Sequence, residues 1–320
     1  MRRRGMHVAS RRAMNNLPIG RKRPQRSLAL LAGSIAIPLL LGCGPEANSG
    51  DDDASSGAGG TSTGGKSTGG TAGTSTGGKS GSGGSGGGGF ECTSKSEPGE
   101  LVEIEAGEFT MGCNDAVDDD CDDDERPMHT VSLAAFEIEL TEVTQDAYAA
   151  CVTDGACDPP SCAWDCDETE LPATCVDIDR AKAYCTWAGR RLPTEAEWEK
   201  AARGEDGAKY PWGNDEPDCT LVNMEGCGDA AMPVGSVPGG ASPYGVLDMA
   251  GNVVEMVADW YDASYYAESP SSDPPGPATG SRYVGRGGGF LSEPVWQRAS
   301  KRDLYDLEDA GASLGFRCAR

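Results

Sequence analysis

Apolar positions in this chain come in short runs, and polar punctuation separates them. Leu101-Val-Glu-Ile-Glu105, Glu108-Phe-Thr-Met111 and Thr130-Val-Ser-Leu133 are strand-like. Helical signals follow. Thr144 predicts a cap for a helix through Val152. Asp177 or Asp179 predicts a cap for Arg180 to Ala188, with Gly189 as its stop. Thr194-Glu-Ala-Glu197 is a capping box, in which hydroxyl and carboxylate each satisfy an orphan N–H. Its helix is expected to run to about Arg203 and stop at Gly204. Beyond that point Gly, Pro and Asn dominate, which predicts loops and short strands. The pattern predicts an α+β domain over 91–320 with low regular content. Disulfides and bound cations would supplement its core.

The first 90 residues read differently. Nine Arg and Lys precede an apolar run from Leu28 to Gly42, broken by Pro38 and too short for a membrane span. It ends Leu40-Leu41-Gly42-Cys43. That ending resembles a bacterial lipobox, so residues 1–42 are expected to be a lipoprotein signal peptide and Cys43 the lipidated N-terminus. Acyl chains would anchor the protein in a membrane. Gly44 favours the outer membrane or the cell surface over the inner membrane. Residues 43–90 are then a tether, with Gly at 17 of the 33 positions from Gly57 to Gly89. A flexible tether of this composition reaches roughly 35–40 Å. Gly60 to Ser67 and Gly73 to Ser80 both match the P-loop spacing. Neither has a strand before it or a helix after it, so no nucleotide binding is expected there.

Charge and cysteine narrow the classes. Without the leader, 18 Lys and Arg face 51 Asp and Glu, a net charge of −33. That balance repels nucleic acid and favours cations or basic partners. Twelve cysteines remain beside Cys43, an even number that reads as a disulfide framework in an exported chain. Zinc is a weaker reading of Cys162-x-x-x-Cys166, because His129 is the one histidine left. The run Asp118 to Glu125 offers ligands for further cations, but no Gly spaces its acids into a ligand loop, so it reads as a solvated charge run.

Seven further pieces occur in order: Glu105 to Gly112, Phe136 to Thr144, Ala183 to Glu199, Tyr210-Pro-Trp-Gly-Asn214, Gly245 to Glu255, Arg286 to Phe290 and Gly315-Phe-Arg-Cys318. Together they resemble the sulfatase-modifying factor family, which includes the formylglycine-generating enzyme. The resemblance implies a compact α+β unit related to C-type lectins. It implies an oxidase that turns a sulfatase cysteine into formylglycine with oxygen and copper held by two thiolates. The first of those cysteines falls on Ser292 and the second near Gln297; Trp296 and Arg298 are no cysteines either. A hydroxyl does not replace a thiolate on Cu(I). Gly289, Val254 and Ser313-Leu314 also depart from the motifs. Copper is therefore not expected. The iron chemistry of relatives that make thiol-histidine sulfoxides needs several histidines, which this chain lacks. A Ser–His–acid triad on His129 is a remote reading.

The resemblance implies calcium on Asp248, Gly251, Val253 and Glu255, a set of hard oxygen ligands around a tight turn. The bland alternative is an Asp and a Glu making local turn bonds. A further calcium site would begin at Asn223 and Met224, with Asp229 as a remaining ligand. The resemblance also pairs Cys185 with Cys318; apart from it, Cys219–Cys227 and Cys113–Cys121 are near enough in sequence to be local bridges. The family's second bridge is missing, with Ala202 at one of its positions. The other cysteines cannot be paired from spacing. The expected function is a lipid-anchored envelope protein without oxidase activity, binding protein or glycan through Phe290 to Trp296. The alternative is an enzyme of the same cleft, either the oxidase or an altered chemistry through Ser292.

Overall fold

Two antiparallel strand pairs open the region that a computed structural model describes, residues 90–320. The leader, Cys43, the tether and both P-loop-like stretches lie outside the described residues. Strand β1 (Leu101–Ile104) pairs with β4 (Phe136–Glu139), and β2 (Gly107–Met111) with β3 (His129–Leu133). Three helices follow: α1 (Gln145–Thr153), α2 (Ile178–Trp187) and α3 (Glu195–Arg203). A four-stranded sheet closes the domain in the order β7-β6-β5-β8. Its strands are β5 (Val254–Trp260), β6 (Arg282–Arg286), β7 (Asp303–Asp306) and β8 (Leu314–Gly315). The β5–β8 pair is parallel and the other two are antiparallel. The fold is mixed α+β with few helices, as the pattern predicts.

Each helix starts where a side chain takes over an orphan N–H. Thr144, Asp177 and Thr194 accept from Ala147, Arg180 and Glu197. Asp177 rather than Asp179 is the cap, so α2 begins two residues before the expected start. In α3 the full capping box forms. This helix is buried along its whole length, charged residues included. Trp198, Ala201 and Ala202 join Phe109, Val131, Met249, Val257 and Val284 in one apolar cluster. Burial pushes Glu199 up, but Arg286, Arg203 and the Gly112 N–H outweigh it and hold the carboxyl below its usual range. Glu195 binds Arg286 at 2.9 Å and Arg302 at 2.7 Å.

A second cluster holds Tyr148 of α1, Tyr184 of α2 and Phe316 together. Six disulfides lock the domain: Cys92–Cys166, Cys113–Cys121, Cys151–Cys157, Cys162–Cys175, Cys185–Cys318 and Cys219–Cys227.

The acid run differs from its reading as a solvated stretch. The loop closed by Cys113–Cys121 folds back, so Asp118 and Glu125 are buried. Both grip Arg298, at 3.0 and 2.6 Å. A linear charge run does not reveal a counterion 173 residues away.

Candidate functional site

Residues 248–253 form a tight loop between Leu247 and β5, whose second residue is Glu255. Asp248, Gly251 and Asn252 all have left-handed backbone, with φ of 56°, 76° and 58°. A Cβ on Gly251 would lie 2.4 Å from the Asn223 carbonyl oxygen, so only glycine lets the two loops touch. Asn252 stitches them together. Its Oδ1 accepts from the Met232 N–H at 2.8 Å and from Asn223 Nδ2 at 3.3 Å. Its Nδ2 donates to Glu142 Oε1 at 3.0 Å.

Three carboxylates converge on this loop. Glu142 is buried and its Oε2 has no partner. Burial first, then the charges of Asp248 and Glu255, push its pKa well above the carboxylate range. Asp248 Oδ2 accepts from the Gly235 N–H at 2.5 Å. Glu255 is held by Arg317, at 2.6 Å to Oε1 and 2.7 Å to Oε2, and by Trp198 Nε1 at 2.8 Å. Arg317 thus faces the buried Glu255 and Glu142 and the half-buried Asp248. The carbonyls of Gly251 and Val253 take no turn or loop hydrogen bond among the described residues. The unpaired Oε2 of buried Glu142, the half-buried Asp248 beside it and the carbonyls of Gly251 and Val253 are oxygen donors of the kind a hard cation takes. Glu142 and Asn252 escape a reading of the sequence. Glu142 lies 106 positions before Asp248, with no local pattern to mark it. The Gly251-Asn252 dipeptide is a turn signal that could have drawn attention to Asn252.

The neighbouring loop gives a partial second set. Asn223 is buried, and its Oδ1 has no partner. The Met224 carbonyl accepts from the Cys227 N–H at 3.0 Å, inside the ring closed by Cys219–Cys227. Asp229 is exposed.

Ser292 ends the Gly-rich turn after β6, and Gln297, at the end of the 3-10 turn Pro294–Gln297, folds back onto it. Ser292 Oγ accepts from the Gly289 N–H at 3.0 Å. Gln297 is fully buried, and its Nε2 donates to the carbonyls of Gly289 and Ser292, both at 3.3 Å. The amide packs so closely that a Cβ on Gly288 would lie 3.0 Å from it. No carboxylate or imidazole contacts the Ser292 hydroxyl among the described residues. The pair is a latch of neutral hydrogen bonds and offers copper no thiolate, so these residues do not fit that metal. Around the latch Leu291 is 64% exposed, and Lys301 lies over the Trp296 ring at 4.4 Å. His129 is elsewhere. Its Nδ1 meets the Pro127 carbonyl at 2.8 Å and its ring packs edge-on against Tyr266, so no triad assembles.

Residues 89–320 match the profile of the sulfatase-modifying factor enzyme 1-like domain. The chain is 34% identical over 281 residues to the formylglycine-generating enzyme of Streptomyces coelicolor, covering 68% of this chain and 88% of that one. It is 41% identical over 174 residues to the enzyme of the same name from Thermomonospora curvata, covering 48% of this chain and 56% of that one. Among solved structures, PvdO from Pseudomonas aeruginosa superposes with a TM-score of 0.60 at 31% identity, over 69% of this chain and 94% of that one.

Proposed function

The chain belongs to the sulfatase-modifying factor family, and from that premise we propose that it is a member without oxidase activity, a calcium-braced binding domain held at the cell envelope by a lipid on Cys43. The observation that carries the reading is the Ser292–Gln297 latch. It occupies the position where the resemblance puts a copper-binding cysteine pair, and it consists of an amide and a hydroxyl bonded to backbone. An altered chemistry through Ser292 would need a base at its Oγ, whose hydrogen bond among the described residues comes from the Gly289 N–H.

Calcium fits the loop beside the latch. Asp248, Glu142 and the carbonyls of Gly251 and Val253 would supply oxygens, while Glu255 shares its charge between the ion and Arg317. Asn223 would contribute to a second ion. In this reading calcium does structural work: it neutralises the acids there and fixes the turn that leads into β5. The binding surface is Phe290 to Trp296, where exposed Leu291 and the Trp296–Lys301 pair offer apolar and cationic contacts to a protein or glycan. The tether and lipid would hold that surface clear of the outer membrane.

The test loads the purified full chain with Cu(I) and offers a Cys-x-Pro-x-Arg peptide under oxygen. No formylglycine is expected by mass spectrometry, and its appearance would overturn the proposal. The same spectra of the mature protein read the acylation of Cys43.

A further inference from the structure

Three of the six bridges lie where neither the latch nor the calcium loop uses them. Cys92–Cys166, Cys151–Cys157 and Cys162–Cys175 brace the stretch between α1 and α2, which has no helix or strand from Asp154 to Asp177. Ordering an irregular loop costs backbone entropy, and so much covalent bracing marks a shape that must be kept. The shape is a cavity of about 580 Å³ lined by Phe90, Glu91, Pro159, Pro160, Ser161 and Trp164. That volume suits a small molecule.

Two aromatic walls meet there nearly at a right angle. The Phe90 and Trp164 rings have centroids 5.6 Å apart and planes inclined at 79°. Trp164 is fixed before any ligand arrives. Its Nε1 donates to the Thr174 carbonyl at 3.2 Å, and its ring packs edge-on against Tyr148. Charge decides what such a corner takes. Among the described residues no Lys or Arg lines the cavity, and Glu91 does. The nearby Arg180 is committed to the Pro159 carbonyl and to Asp177. Asp158, Asp165 and Asp167 on the flanking turns are exposed. Electron-rich ring faces beside a carboxylate attract an alkylated ammonium ion, and the acidic surface raises its local concentration.

We propose that this disulfide-braced pocket binds a small organic cation through a quaternary ammonium head placed against Phe90 and Trp164, with Glu91 as counterion. The site stands apart from the latch and the calcium loop, so it holds or fails independently of the function proposed above. Titration calorimetry on the full mature chain tests it with choline and with its neutral isostere 3,3-dimethylbutan-1-ol. Choline should saturate one site, with the isostere roughly tenfold weaker. Phe90→Ala should weaken choline at least as much. Glu91→Gln changes an exposed side chain, leaves the bridges intact, and should weaken choline about threefold or more. Near-UV circular dichroism checks that both variants keep the native packing. Absence of saturable choline binding would overturn the proposal. So would equal affinity for the isostere, which would mark an apolar pocket only, or indifference to both substitutions.

Discussion

Glu142 and Asp259 are both buried acids, and their surroundings give them different uses. Glu142 faces Asp248 and Glu255 with an oxygen left over. If calcium fills that place, chelation uncovers surplus negative charge. Saturation at about a hundred times Kd corresponds to about 2.7 kcal/mol of linkage. EDTA should then lower the melting temperature by about 5–10 °C. Glu142→Gln should shrink that drop, and calorimetry with and without EDTA reads both. A melting temperature indifferent to EDTA would remove calcium from the domain. Asp259 on β5 has one hydrogen bond, from the Glu195 N–H at 2.8 Å. Burial and then the Glu195 charge push it up to about 8. The native state therefore holds a proton that the unfolded chain releases in the ordinary carboxylate range, from about 3.9 upward. Asp259's contribution is fully present below that range and is lost as pH rises through about 8. Asp259→Asn keeps the acceptor and cannot ionise. Urea denaturation should show the wild type losing stability between pH 6 and pH 9 and the variant losing clearly less.

At the scale of elements, the helix starts were legible because a cap is a local device. Thr194 and Glu197 sit three residues apart, and their reciprocal bonds need nothing from the rest of the chain. Thr194→Ala should cost about 1 kcal/mol in denaturant unfolding. The cost should be larger than for an exposed threonine such as Thr130, substituted in the same way as a control. The closing sheet was less legible, because its polar residues point inward. Glu255 and Asp259 lie on β5 and are buried, each satisfied by a group distant in sequence. A pattern reading assigns such positions to solvent. The same cause hid the grip of Asp118 and Glu125 on Arg298, and it hid Glu142. Cysteine spacing failed for a related reason: Cys162 passes over Cys166 to reach Cys175, while Cys166 reaches back to Cys92. What the motifs did carry was the turn from Asp248 to Glu255 and the Gly-rich turn bearing Ser292, since both are contiguous.

At the scale of the whole molecule, the irregular fraction leaves long stretches held by few backbone ladders, so covalent closure matters most where it spans most chain. The bridge from α2 to the C-terminus, Cys185–Cys318, joins residues 133 apart, whereas Cys219–Cys227 joins residues 8 apart. In the chain-entropy account a closed loop of the first size is worth about 5 kcal/mol and one of the second about 2.5 kcal/mol. The longer bridge also fixes Arg317, the residue before Cys318, against Glu255. Its loss should therefore loosen both the C-terminus and the acid cluster behind the 248–253 loop. Cys185→Ala with Cys318→Ala should thus cost about twice as much unfolding free energy as Cys219→Ala with Cys227→Ala. Guanidinium unfolding of the two double variants, each keeping the other five bridges, measures the difference. Equal costs would mean that the remaining bridges already confine the unfolded chain, and that loop length no longer sets the stability of this domain.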